Sequence, residues 1–248
     1  MKELNPILIE GAMDVELSHL LSCLENKEEV TFGGFTYAKG TLNGVPVVLV
    51  ASRIGIVNAT IATLLGINHF KPRAVISQGT SGAHNPDLRR GDIVLGENIV
   101  CFDAHLSLQR DEGNGMVFED CLMFALESFN GDEWEKKISF NSDKRLLEIA
   151  KNTPYNYGKL FAGTVGTSMS WNREIDKIKT LRGMFNTDCE EMETWAIVQT
   201  CENFKTPFLS VRIISNSELT GEDYQRETAI YCQKYVLELI ESLKKSDF

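Results

Sequence analysis

Positive charge is scarce in this chain. Its 25 lysines and arginines are outnumbered by 35 aspartates and glutamates, a formal net charge of -10. No basic stripe is present to replace phosphate counterions, which argues against nucleic acid or an anionic membrane as partner. Six cysteines stand at 23, 101, 121, 189, 201 and 232 without a CxxC pair and mostly inside apolar runs, the pattern of reduced, buried thiols. No apolar stretch approaches the ~18 residues of a membrane span, and the first residues lack a basic region followed by a long apolar run. A cytoplasmic location is expected, without secretion. Internal repeats, low-complexity tracts and linkers are also missing, so residues 1–248 read as one domain.

With 43% hydrophobic and 24% charged residues, 248 residues can bury a full α/β core without a metal or disulfide staple. The run Pro6 to Ile9 reads as a strand, ending in a turn at Glu10-Gly11-Ala12-Met13 before a helix begins near Asp14. Gly11 permits the tight backbone, and Met13 and Glu16 project toward the strand's carboxyl end. Two further strands, 35–40 and 45–50, flank Asn43-Gly44, a strong hairpin signal. Ser52-Arg53-Ile54-Gly55 is a strand-to-helix turn, and Val57 to Phe70 makes a crossover helix. The strand at 74–77 runs into Gly79-Thr80-Ser81-Gly82-Ala83, read as a loop whose backbone N–H groups can form a nest. The β pattern continues at 93–95 and 98–102.

Residues 103–134 are irregular, with an exposed turn at 111–115; so long an insertion is usually an active-site flap or a subunit contact. A helix over 142–151 takes Ser142 as its cap, and 157–165 is a strand. The loop 166–172 carries Met169 and Trp171, of which Trp171 either stacks on a planar base or belongs to the core. After a helix from Glu174 to Leu181 comes the acidic segment Asp188-Cys189-Glu190-Glu191-Met192-Glu193. Behind it Ala196, Ile197, Thr200 and Cys201 recur at helical spacing, so the glutamates are placed on the first turn of a helix, where acidic residues also favour the helix dipole without any ligand. A buried strand over 207–214 and a closing helix over 229–245 complete the chain.

Four segments, 10–16, 79–83, 190–193 and 212–218, thus lie at strand carboxyl ends, the edge where open α/β sheets bind ligands. The motifs Gly11-Ala12-Met13 with Glu16, Gly79-Thr80-Ser81-Gly82, Glu191-Met192-Glu193 and Val211-Arg212-Ile213-Ile214-Ser215 stand in this order along nearly the whole chain. Together they resemble the purine nucleoside phosphorylase and nucleosidase superfamily, and within it the bacterial 5′-methylthioadenosine/S-adenosylhomocysteine nucleosidases. The resemblance implies an α/β fold, a single-domain three-layer sandwich with a central mixed twisted sheet flanked by helices, and no cofactor or metal. It implies cleavage of the bond between a purine and a ribose in a small-molecule nucleoside. Glu16 matches the family's water-activating residue and Glu193 its ligand of the ribose hydroxyls. Met192 would lie against the sugar, with Arg212 and Thr80 completing the polar shell around the water. Met13, Ile54, Ser81, Gly82, Glu191 and Ser215 are expected at the substrate, with Met169 or Trp171 at the base.

Phosphorolysis needs cations where hydrolysis needs a base. The family's phosphorylases carry an arginine in the first loop and another before the Gly-Ser loop; here the acidic stretch Asp14 to Glu16 and Ser77 stand instead, which favours water. Arg53 stands where glycine is usual, and a surface role is the commoner fate of such a residue. The family's proton-donating aspartic acid is replaced by Asn216, which can hold a purine but removes an acid worth ~10² to 10⁴ in rate unless Glu218 or Glu222 replaces it. Three readings therefore stay open: the methylthioadenosine/S-adenosylhomocysteine type of hydrolase, a 6-oxopurine nucleosidase or phosphorylase of the inosine, guanosine or futalosine type, and an inactive nucleoside-binding protein. The run Leu106-Ser107-Leu108, where family members reach into a neighbour's pocket, points to a homodimer.

Overall fold

A computed structural model describes residues 4–115, 117–246 and 248. The first apolar run forms β1 (Ile7–Gly11), followed by a 3-10 turn over Asp14–Glu16 and a short α1 (Ser18–Cys23). An antiparallel meander follows: β2 (Glu25–Phe32), β3 (Phe35–Leu42) and β4 (Val45–Ala51). Asn43 and Gly44 both take positive φ, 51° and 75°, as the expected two-residue hairpin requires. The sequence reading did not include β2, whose residues are almost all exposed at the sheet's edge. With no buried face, nothing imposes an apolar alternation on it. The crossover helix α2 (Ile56–Phe70) leads to β5 (Ala74–Ala83) and β6 (Ile93–Cys101).

The insertion is more regular than expected. β7 (His105–Leu106) pairs with β8 (Leu122–Met123), β9 (Leu126–Phe129) pairs with β10 (Trp134–Lys137), and β11 (Ser139–Asn141) adds to β6. Asp143 caps α3 (Lys144–Lys151), accepting from the backbone N–H groups of Arg145 and Leu146 at 2.9 and 3.0 Å. Ser142, the expected cap, is instead buried, its Oγ accepting from Ser210 N at 3.2 Å. Then come β12 (Leu160–Thr167), α4 (Ile175–Phe185), β13 (Cys189–Glu191), α5 (Thr194–Asn203), β14 (Phe208–Asn216) and α6 (Thr228–Lys245).

Among the described residues ten strands form one mixed sheet in the order β11-β6-β12-β13-β5-β1-β4-β3-β2, with β14 paired to both β5 and β6. Ile7 and Ile9 point to one face, where Leu20, Leu146, Tyr235 and Leu239 of α1, α3 and α6 cover them; Leu8 points to the other, under Ala59 and Ala62 of α2 and Ile197 of α5. Period-two alternation thus builds both cores of the expected three-layer sandwich. Because β13 joins β5 to β12 while β14 joins β5 to β6, the strands β5, β14, β6, β12 and β13 close into a ring.

Two local expectations are corrected by that ring. Gly79 to Ala83 is the second half of a ten-residue strand rather than a loop, paired with β13 and β14, and within it the Thr80 N–H donates to the Glu16 carboxylate. Glu190 and Glu191 likewise end strand β13, and α5 starts only at Thr194. Both stretches are short of bulky apolar side chains, so strand pairing alone decides their conformation.

Candidate active site

Strands β1, β5 and β14 run parallel, and their carboxyl ends bring Met13, Glu16, Thr80, Ser81, Ser215 and Asn216 to one side of the sheet. The antiparallel β13 adds Glu190 and Glu191 from the opposite direction. Gly79 makes the junction feasible: a Cβ there would lie 2.7 Å from Glu16 Oε1 and 2.8 Å from Arg212 Nη1. The space a side chain would fill is used by the carboxylate and the guanidinium.

Glu16 is 1% exposed and held from three directions. Its Oε1 accepts from Thr80 N at 2.7 Å and Thr80 Oγ1 at 2.9 Å, and its Oε2 from Met13 N at 3.0 Å. Arg212 is buried behind it, donating from Nη2 to Ser77 Oγ at 2.8 Å and to Thr194 Oγ1 at 3.0 Å, with Glu191 Oε2 at 2.9 Å. Burial opposes its charge, but the carboxylates of Glu191, Glu193 and Glu16 prevail and hold the guanidinium above its ordinary pKa.

The two glutamates of the Glu-Met-Glu motif have different work. Glu191 Oε2 accepts from the backbone N–H groups of Glu193 and Thr194 at 2.9 and 2.8 Å, capping α5, while Thr167 Oγ1 donates to its Oε1. Glu193 has no such saturation: Gly55 N donates to Oε1 at 2.9 Å, and Arg212 Nη1 stands 3.8 Å from Oε2. Burial first, then the Glu191 charge, push its pKa up to about 8, against the opposing pull of Arg212 and Gly55 N–H.

These groups surround a cavity of about 250 Å³. Of the residues expected at the substrate, Met13, Glu16, Ile54, Thr80, Ser81, Gly82, Trp171, Glu191, Met192, Glu193, Ser215 and Asn216 line it. Arg212 does not reach the surface of the cavity but braces the carboxylates from beneath. Met169 is not among the lining residues: it packs its Sδ and Cε over Gly55, while Trp171 supplies the aromatic wall. Trp171 is 56% exposed, so it is no core residue. Glu218 and Glu222 do not line the cavity either, being paired with Arg173 and Arg90. Arg53 pairs with Asp14 at 3.1 Å on the surface.

Glu190 stands in a segment expected at the ligand edge but without an expected role, and Ser170 and Tyr224 were not expected at the site; all three line the cavity. The Tyr224 ring meets Trp171 edge-on, with centroids 5.9 Å apart. Burial, opposed by its contact with Thr80, raises its pKa. It lies in the segment between β14 and α6, where no periodic pattern marks it.

The arrangement can activate a water through Glu16 and hold hydroxyl groups through Glu193, within a small pocket walled by Met192 and Trp171. A family model for the phosphorylase superfamily matches residues 6–242. The chain belongs to this superfamily. Among its superfamily relatives, the 5′-methylthioadenosine/S-adenosylhomocysteine nucleosidase of Geobacillus kaustophilus is 31% identical over 248 residues, spanning 97% of this chain and 98% of that one. The nucleosidase of the same description from Shewanella piezotolerans is 30% identical over 95% of this chain and 98% of its own. The superfamily fold recurs in the crystal structure of the Neisseria meningitidis nucleosidase in complex with methylthio-immucillin-A: TM-score 0.79, 28% identity, 97% of this chain and 100% of that one. The native futalosine hydrolase of Helicobacter pylori shares the fold at 21% identity with a TM-score of 0.73.

Proposed function

We propose that the protein hydrolyses the N-glycosidic bond of purine nucleosides of the 5′-methylthioadenosine/S-adenosylhomocysteine type. The carrying observation is the acidity of the cavity: Glu16, Glu190, Glu191 and Glu193 line it and, among the described residues, no lysine or arginine does. A phosphate dianion entering this pocket would meet carboxylates at short range in a poorly screened site, a repulsion of several kcal/mol. Water meets a fixed base. Glu193 accepts hydroxyl hydrogens of the ribose, Met192 lies against the sugar, and Glu16 takes a proton from the water that attacks the anomeric carbon as the bond to the base breaks, the departing purine taking its proton from solvent. The Geobacillus and Shewanella nucleosidases named above support the adenine-type substrate. The decisive experiment follows purified protein on 5′-methylthioadenosine by chromatography, with and without phosphate. The expected products are adenine and free 5-methylthioribose in both cases; a sugar 1-phosphate as main product would overturn hydrolysis, and no cleavage would overturn the reading.

A 6-oxopurine substrate is a second reading, which one contact allows alongside the first. Ser215 Oγ lies 3.0 Å from both Ser81 O and Asn216 Oδ1, and has one hydrogen to give. Donated to Asn216, it leaves the amide N–H groups for N7 and a 6-oxo group; donated to Ser81, it lets the amide turn and accept from a 6-amino group. The same panel run on inosine separates the two.

The assembly read from Leu106 and Leu108 is a homodimer, and both residues are more than 45% exposed, at 58% and 48%. An apolar groove lined by Val57, Phe124, Leu126 and Trp195 lies near Ile54, which is itself 53% exposed at the mouth of the cavity. A second copy seated there would cover the open side of the pocket. A fully active monomer at micromolar concentration in light scattering would remove this reading. A cytoplasmic location suits the free, mostly buried thiols. Among the described residues no helix is long and apolar enough to cross a membrane.

A further inference from the structure

One buried polar cluster at the cavity is not used by the hydrolytic machinery. Glu190 lines the pocket while only 5% exposed, and its carboxylate accepts from Asn172 N at 2.8 Å through Oε1 and from Asn172 Nδ2 through Oε2. Behind it lies His84, 2% exposed, its ring stacked on Phe102 with centroids 5.8 Å apart and its Nδ1 3.0 Å from Thr187 Oγ1. His84 Nε2 is 3.3 Å from Glu190 Oε2 but off the line of a hydrogen bond, and is left without a partner. Removing an acid and an imidazole from water costs several kcal/mol unless the pair does something in return. Capping does not account for it, because Glu191 caps α5.

The register of the sheet shows what the carboxylate faces. Glu190 is paired with Gly82 in β5, and a β-bulge after Ile214 brings Asn216, rather than Ser215, opposite Gly82 in β14. Residues opposite one another in a ladder present the same face, so an amide, a bare glycine and a carboxylate stand in a row across three strands, their outer backbones roughly 10 Å apart. All three line the cavity. A Cβ on Gly82 would come within 3.3 Å of Asn216 Nδ2, so the glycine keeps the middle of the row flat and open. A planar heterocycle lying over Gly82 has Asn216 at one edge and Glu190 at the other.

We propose that Glu190, oriented by Asn172 and His84, reads the base: it accepts an N–H from the six-membered-ring edge of the purine while Asn216 engages the N7 side. The inference rests on the pocket being a purine nucleoside site and adds which group of the base is selected. A carboxylate already held by two donors in a buried cluster is an acceptor with no freedom to turn away. A base without an N–H at that edge leaves it unpaired, which is how buried polar groups reject analogues.

The test is a cycle of two proteins and two substrates: wild type and Glu190→Gln, each on 5′-methylthioadenosine and on the matching nucleoside of unsubstituted purine, which lacks the 6-amino group. Base reading predicts that the substitution lowers kcat/KM on the adenine nucleoside by about 10- to 100-fold more than on the unsubstituted one, chiefly through KM. Equal losses on both would mean that Glu190 only supports the fold, and no loss on either would mean that it does not touch the base; both overturn the proposal. Should Glu190→Gln fail to fold, Glu190→Asp keeps the charge beside His84 while withdrawing the carboxylate by one methylene, and the same ratio decides. If wild type cleaves neither nucleoside, it is the functional reading that falls.

Discussion

Arg212 Nη1 stands 3.8 Å from Glu193 Oε2, beyond hydrogen-bond reach, while its Nη2 lies 2.9 Å from Glu191 Oε2. One cation therefore serves two carboxylates unequally: it fixes Glu191, which caps α5, and only partly offsets the burial of Glu193. Both line the cavity, and the carboxylate left under-satisfied is the one expected to hold the sugar. An unfilled acceptor in a buried site is capacity for a ligand's hydroxyl groups.

Removing charge from either reacting carboxylate should cost turnover without unfolding the chain. Measured above a pH of about 8, where Glu193 is ionised, Glu16→Gln and Glu193→Gln are each expected to lower kcat by at least ~10²-fold, since each keeps volume while removing a charge from the reacting centre. Steady-state rates together with a thermal melt check this. Near-normal activity in either variant would remove its assigned role.

The raised pKa of Glu193 sets a pH dependence. With its pKa pushed up to about 8, the free protein holds Glu193 largely protonated at neutral pH, and the carboxylate form that accepts two ribose hydrogens grows as pH rises. A plot of kcat/KM against pH should climb from pH 6 toward a plateau above about 8. In Glu193→Gln that limb should be absent from the residual activity.

Glu10 tests linkage outside the cavity. It is fully buried on β1, its Oε2 accepting from Thr63 Oγ1 at 3.0 Å while its Oε1 has no partner, and burial pushes its pKa from 4.5 to about 8. Between those two values the folded chain keeps a proton that the unfolded chain releases, so Glu10 costs increasing stability as pH rises through that window. Glu10→Gln has no proton to lose. Urea titrations at pH 5 and pH 8 should show the variant gaining on wild type as pH increases; an unchanged difference would place the Glu10 pKa near its ordinary value.

Asn216→Asp probes the missing acid. If Asn216 holds an adenine base and nothing else protonates it, the aspartic acid can deliver a proton to N7 as the glycosidic bond stretches, and turnover of adenine nucleosides should rise, by up to the ~10² to 10⁴ that general acids supply. On inosine-type substrates a carboxylate beside O6 repels, and activity should fall. No change on either would separate Asn216 from the base.

Local sequence determined a good deal here. Strands β1, β4, the first half of β5 and β14 are legible because buried apolar runs have one stable use, and Asn43-Gly44 marks its hairpin because few residues tolerate positive φ twice in succession. The site motifs were legible as well, since Glu16, Glu193 and Asn216 stand in segments matching a known order. What remained for the tertiary structure depends on pairing between distant segments. Glu190 reads locally as helix dipole acid, and only its register opposite Gly82, which is in turn opposite Asn216, turns it into a wall of the cavity. Glu191 and Glu193 are chemically alike and two residues apart; whether one caps a helix and the other keeps an open acceptor is decided by where Arg212 and Gly55 are delivered. Tyr224 reaches the cavity through a turn stitched by Ser217 and Glu222. Such contacts join residues far apart in the chain, and a pattern read along the chain carries the periodicity of single elements, not the register between them.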